Sequence, residues 1–177
     1  MKKLFSVLFV VLFAFTFANA QSKMAVSVGG NLAFPMGSFG DVANMGFGGG
    51  AKFEYALQSN LHLTASVQYL MFAKKDDIVG VEWSIIPVLA GAKYYFGNNF
   101  YTMAEVGMNF WNTKATITFP IIGKITVEES GSDFGFAGGA GYELPMGKNS
   151  LDLSVKFQSY ASETTAINLG VAYKFGF

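Results

Sequence analysis

The sequence predicts an all-β chain that closes into an eight-stranded antiparallel up-and-down barrel. Three observations predict it: apolar residues recur at every second position, turn-forming residues punctuate the chain, and the connections alternate between short and long. A period of two belongs to strands whose two faces meet different surroundings. Of 177 residues, 51% are hydrophobic, 16% aromatic and only 14% charged, with 21 Gly and no Cys. That apolar load has to be hidden in a core or in lipid, and without disulfides only packing and hydrogen bonding can hold the domain.

The first twenty residues stand apart. Lys2 and Lys3 precede an apolar run from Leu4 to Phe17, and Ala18-Asn19-Ala20 follows it. These are the charged, hydrophobic and small-residue parts of a secretory signal, so cleavage is expected after Ala20, leaving residues 21–177 as one barrel domain. The run of about 14 residues falls short of the roughly 20 that a helix needs to cross a bilayer, which disfavours an uncleaved anchor. Without Lys2 and Lys3 the chain keeps ten Lys, no Arg and twelve acidic residues. Nucleic-acid binding is excluded, because no basic face is available to neutralise phosphates.

Strands are predicted at 24–34, 46–57, 61–73, 80–96, 99–112, 132–144, 150–160 and 165–177. The alternation is cleanest in the last, where Ile167, Leu169, Val171, Tyr173, Phe175 and Phe177 oppose Ala166, Asn168, Gly170, Ala172, Lys174 and Gly176. In 80–96 the run Ile85-Ile86-Pro87-Val88 departs from alternation, and Pro87 has no N–H to give, so a bulge or a local break in pairing is expected there. Gln58-Ser59-Asn60, Gly97-Asn98-Asn99 and Pro145–Asn149 read as tight turns, whereas 35–45, 74–79 and 113–131 are longer connections. Short periplasmic turns with longer external loops would place both termini in the periplasm.

Which face points inward follows from the grading of the apolar one. Tyr55, Tyr94, Phe96, Phe100, Tyr142, Phe175 and Phe177 lie near the short turns, and Phe34, Phe47, Tyr69, Phe110 and Phe134 near the long loops. Aliphatic residues such as Val28, Val67, Val88, Val106 and Val155 lie between them. Two aromatic girdles around an aliphatic band describe a barrel whose greasy face meets lipid. A secreted barrel with an apolar ligand cavity also alternates, but gives no reason for aromatics at both ends. The opposite face holds Gly48, Gly50, Gly135 and Gly139, which suit a narrow lumen, and eight charges: Lys52, Lys93, Lys156 and Lys174 with Glu54, Glu105, Glu143 and Asp152. Ions removed from water must be paired, and these balance. Lys174 is expected near Asp152, on adjacent strands.

Three stretches resemble the small porin-like outer-membrane β-barrel family, which includes OmpX and the transmembrane domain of OmpA. They are Ile86-Pro87-Val88-Leu89-Ala90-Gly91-Ala92-Lys93-Tyr94-Tyr95-Phe96, Phe100-Tyr101 onward to Gly107, and Tyr173-Lys174-Phe175-Gly176-Phe177. The resemblance covers about Met24 to Phe177. It implies an eight-stranded barrel in the Gram-negative outer membrane, surrounded by lipid and delivered by the assembly machinery, with Tyr173, Phe175 and Phe177 as the signal that machinery reads. With no peptidoglycan-binding domain after Phe177, the bare barrel of OmpX is the nearer likeness.

Some barrels of this size are enzymes, so catalytic groups have to be sought. The sole His, His62, lies near a short turn, with Ser66 further along its strand and Glu54 across the hairpin. His62 reads as a structural polar group in the lumen, because a triad needs mutual hydrogen-bond distances. Asp76-Asp77 and Glu128-Glu129 read as solvated loop acids rather than metal ligands, and Gly48-Gly49-Gly50 lacks the residues that complete a phosphate loop. No catalysis, cofactor or metal is expected. Segment 113–131 reads as a hairpin continuing the barrel strands outward, with Ile121 and Ile122 at its tip as a candidate contact for another protein or a cell surface; folding over the mouth as a plug is the alternative. The expected role is therefore structural or adhesive through external loops, with a small channel as the competing reading.

Overall fold

The computed structural model describes residues 23–73, 80–97, 99–119 and 123–176. It is an antiparallel barrel of eight strands: β1 (Met24–Met36), β2 (Gly46–Ala56), β3 (Leu61–Ala73), β4 (Gly80–Tyr95), β5 (Phe100–Phe119), β6 (Gly123–Met146), β7 (Asn149–Ala161) and β8 (Thr164–Gly176). Each strand pairs with its sequence neighbours, and β1 closes the ring against β8 from Ala25↔Gly176 to Met36↔Thr165. The leader predicted at 1–20, Asp76-Asp77, Ile121, Ile122 and Phe177 lie outside the described residues. Among those described, no helix is long and apolar enough to cross a membrane. Closure removes the free sheet edges that lipid does not tolerate in a spanning sheet.

The eight predicted strands are all present, and their ends differ most where the ladder outlasts the membrane band. β5 and β6 run well past the predicted 112 and 132, pairing without interruption from Phe100↔Tyr142 to Phe119↔Gly123. The 113–131 segment is thus the outer part of one long hairpin. The 35–45 connection, expected only as a long loop, holds the short helix α1 (Gly37–Val42), which has no side-chain cap. Its Gly, Ser and Asp are weak helix formers, so the helix depends on burying Phe39 in the barrel mouth.

Pro87 breaks pairing without a bulge. β3 and β4 pair from Leu61↔Tyr94 to Val67↔Val88 and resume in the same register from Leu70↔Ile85 to Ala73↔Glu82. The apolar run there still alternates: Ile85, Pro87 and Leu89 are buried, while Ile86 and Val88 are exposed. The register shift lies instead between Ser159 and Ala161 of β7, where Gln158, Ser159 and Tyr160 are buried in succession. Positive φ at Gly97 and Gly147 lets the chain reverse within two of the short turns.

Outside, Val28, Val67, Val88, Val106, Val155 and Leu169 are exposed around the middle of the barrel. Phe34, Phe47, Tyr69, Phe110 and Phe134 are exposed toward the loop end, and Tyr55, Tyr94, Phe96, Phe100 and Phe175 toward the turn end. Soluble proteins rarely expose an apolar patch beyond roughly 600 Å². A complete girdle is a lipid-facing surface. Arg at Val67, in this band, is expected to lower unfolding stability in bilayers by about 2–4 kcal/mol. Arg at Val127, on the extended hairpin, is expected to change it by less than about 0.5 kcal/mol; equal costs at the two positions would contradict this placement of the membrane.

Candidate functional site

Strand phase sends all eight candidate charges into the lumen, where they form two groups. In the first, near the turn end, the fully buried Lys93 Nζ donates to Glu54 Oε1 at 2.6 Å, Asp152 Oδ2 at 2.7 Å and Glu143 Oε1 at 3.2 Å. Lys174 Nζ donates to Glu54 Oε2 at 2.7 Å and Glu143 Oε1 at 2.8 Å. Tyr95 donates to Glu143 and Tyr101 to Asp152, and the Lys93 ammonium lies 4.1 Å from the centre of the Tyr101 ring. In the second group Glu105 faces Lys52 at 3.0 Å and Lys156 at 3.7 Å. The first group thus holds one extra carboxylate and the second one extra ammonium, so neutrality is reached only between the two.

The register alters one expected pairing. Lys174 lies opposite Ser150, and Asp152 opposite Ala172. Both reach the same cluster, but Lys174 is engaged by Glu54 and Glu143 while Asp152 is engaged by Lys93 and Tyr101. Across a narrow lumen, a long side chain reaches strands that are not its neighbours in the sheet. Glu54, Glu143 and Asp152 present oxygens close enough together for a cation, but the Lys93 and Lys174 ammoniums already occupy that position.

Of the three candidate catalytic groups, two meet. His62 Nδ1 lies 3.6 Å from Glu54 Oε2, and the imidazole packs on the Tyr95 ring with centres 4.7 Å apart. Ser66 is four residues further along β3, about 13 Å at the rise of a strand, and its Oγ is buried without a hydrogen-bond partner. A relay through His62 to Ser66 is geometrically impossible.

Toward the loop end the lumen also holds an apolar cluster, which the eight predicted charges do not indicate. Ala33, Phe39, Leu70, Phe72, Ile85 and Tyr160 form a buried cluster, with Trp83 and Trp111 packed against it. Phe39 meets Phe72 edge-on at 5.1 Å and Trp83 at 6.2 Å, so α1 is a plug held by aromatic contacts. Trp83, Ile85 and Leu89 are in phase with Lys93 on β4, and Tyr101 with Glu105 on β5. Counting by two from the charges would have placed them inside. Nothing comparable announces Phe39, which reaches the lumen through a helix its sequence scarcely encodes.

Beyond the β7 pairing, which ends at Phe136↔Ser159, the outer part of β6 from 127 to 135 pairs, among the described residues, with β5 and no other strand. Ile125 and Val127 are exposed on β6. Glu128 accepts from Lys114 at 2.8 Å and holds that ammonium above its ordinary pKa, first by the hydrogen bond and then by its charge. Of the predicted assembly signal, Tyr173 and Phe175 are described on β8, their rings 4.8 Å apart.

A closed ring of eight strands, greasy outside and filled inside, defines a transmembrane β-barrel. The chain belongs to the outer membrane protein beta-barrel domain family, which it matches over residues 5–175. No curated protein matches its sequence. Among solved structures it is similar to Ail, the attachment invasion locus protein of Yersinia pestis, solved in complex with the heparin analogue sucrose octasulfate. The TM-score is 0.64 at 14% identity, covering 88% of this chain and 100% of that one. Neisserial surface protein A (NspA) gives 0.56 at 13% identity, covering 87% and 97%. The translocator domain of the autotransporter NalP from Neisseria meningitidis gives 0.52 at 9% identity, covering 93% and 92%. At these identities the likeness is one of fold.

Removing Lys93 alone strands three carboxylates with one remaining ammonium. Lys93→Met is expected to cost about 3–5 kcal/mol in urea unfolding of the refolded barrel. Adding Asp152→Asn, which keeps an acceptor for Tyr101, is expected to restore at least about 1 kcal/mol. A single variant within about 1 kcal/mol of the parent would show that the network does not hold the lumen together.

Proposed function

We propose that this protein is a non-catalytic surface-contact component of a Gram-negative outer membrane, with both termini in the periplasm and the β5–β6 hairpin outside. One observation carries the reading: the outer part of β6 from 127 to 135 is a stretch of strand with one edge left without a partner strand among the described residues. Such an edge is a template for an added strand. Its polar backbone supplies affinity, and exposed Ile125 and Val127 supply side-chain contact. The short turns at the terminal end and the long hairpin at the other favour this orientation in the membrane. Tyr173 and Phe175 on β8 suit recognition by the outer-membrane assembly machinery.

Ail, similar in fold, is an attachment and invasion protein by its description, which supports a role at the cell surface. The kind of partner should differ from the polyanion bound to Ail. Among described residues the loop end carries Asp41, Glu82, Glu128, Glu129, Asp133 and Glu163 against Lys114 and Lys124. That balance repels sulfated sugars and favours a neutral or basic polypeptide.

Deletion of residues 116–127 is the decisive test. Insertion and the heat-modifiable gel shift should persist while adhesion and recovery of a partner fall at least tenfold; unchanged adhesion and recovery would overturn the reading. The channel alternative needs continuous water along the axis, whereas Lys93, Lys174, Glu54 and Tyr101 crowd one level of the lumen. Planar bilayers containing the purified barrel are therefore expected to give no single-channel steps, and regular steps would favour the channel.

A further inference from the structure

The barrel mouth holds a cavity that neither the lumenal network nor the hairpin edge explains. It measures about 340 Å³ and lies between α1, the outer parts of β4 and β5, and the bulged end of β7. That is within the range of small-molecule sites. Phe39, Trp83, Trp111 and Tyr160 supply aromatic walls, and Asp133 and Asn109 supply the polar groups.

Donors and acceptors in the cavity are unequally spent. Trp111 Nε1 donates to Asp133 Oδ2 at 2.7 Å, Asn109 Nδ2 to the Tyr160 carbonyl at 2.9 Å, and the Tyr160 hydroxyl to Asn168 Oδ1 at 3.0 Å. Asn109 is fully buried, yet its Oδ1 has no donor. The amide cannot be turned round to relieve this, because Nδ2 serves a carbonyl, which only accepts. What the site offers a ligand is the Asp133 carboxylate and aromatic faces. Both favour positive charge bearing N–H groups.

The surrounding sequence keeps this geometry open. A Cβ at Gly135 would lie 2.1 Å from Asn109 Nδ2, and one at Gly131 would lie 2.4 Å from Trp111 Cζ2. Both glycines face the cavity lining from β6, and a larger residue at either would displace the amide or the indole. Asp41, Glu82 and Glu163 at the same end raise the local concentration of cations.

We propose that the mouth cavity binds a small organic ammonium compound, a protonated primary amine on a compact apolar body. The body sits between the indoles of Trp83 and Trp111, and the ammonium is held by Asp133. This site shares the outer part of β6 with the strand edge proposed for partner contact but uses side chains on the inner face instead of the backbone edge, and it does not depend on that reading.

Trp83 and Trp111 are the two tryptophans of the chain, so intrinsic fluorescence reads the cavity without a label. Phenethylamine added to the refolded full-length barrel in detergent is expected to change the emission saturably. Neutral 2-phenylethanol and anionic 3-phenylpropionate, of matching size, should need at least tenfold higher concentration for the same change. Asp133→Asn should weaken the phenethylamine response at least tenfold. Should that variant fail to give the folded gel shift, the three-compound comparison on the parent protein decides alone. No saturable response, or equal responses to the amine, the alcohol and the acid, would overturn the proposal; the latter would mark the cavity as apolar without charge selection.

Discussion

A ring of eight strands leaves each side chain two places to go, and the ring is too narrow for the inner one to be left empty. Every other property of this barrel follows from that constraint. Lipid takes the outward set on condition that the sheet has no free edge within the membrane, which closure satisfies. The inward set has to fill a cross-section that admits only side chains, so its members must satisfy one another.

They do so by two different physical means. Toward the turns, charges answer charges: Lys93 alone meets three carboxylates, and Tyr95 and Tyr101 supply hydroxyls to two of them. Toward the loops, aromatic and aliphatic groups fill the bore and a single turn-and-a-half of helix is held there by Phe39. Between these regimes lie buried polar atoms beyond hydrogen-bond distance of a partner, among them Lys156 Nζ, which still faces Glu105 at 3.7 Å, Ser66 Oγ and both ends of the Gln158 amide. A small cavity of about 50 Å³ lined by Lys52, Gln68 and Lys156 lies at this level, with room for a few waters. The boundary between a charged and an apolar filling is thus polar and hydratable, as solvation requires of it.

Much of this was legible because period two is a strong signal and each charge fixes the phase of its strand. Lys93 and Glu105 orient β4 and β5, and the aromatic girdles orient the whole barrel. Legibility failed where residues far apart in sequence meet across the bore. Adjacent-strand reasoning brings Lys174 toward Asp152, but a lysine stem is long enough to cross, and Glu54 on β2 wins it. It failed again where the apolar run around Pro87 looked like lost alternation, since greasy side chains on the inner face carry no sign of where they point. The helix α1 has neither cap nor propensity, so only the three-dimensional mouth that receives Phe39 accounts for it. The Asn109 amide could not be foreseen either, because its geometry depends on the bulge that frees the Tyr160 carbonyl.

The long β5–β6 hairpin has a mechanical consequence. Its strands continue without interruption from Phe119 and Gly123 into the membrane-embedded wall, where β5 is laced to β4 from Gly80↔Thr116 to Tyr95↔Tyr101 and β6 to β7 from Phe136↔Ser159 to Met146↔Asn149. Ladder hydrogen bonds lie across the strand direction. A pull on the hairpin along the strand direction therefore loads those bonds together in shear and does not open them one after another. Tension applied there is spread over the height of the wall, so the hairpin is anchored as a tendon is, along its length.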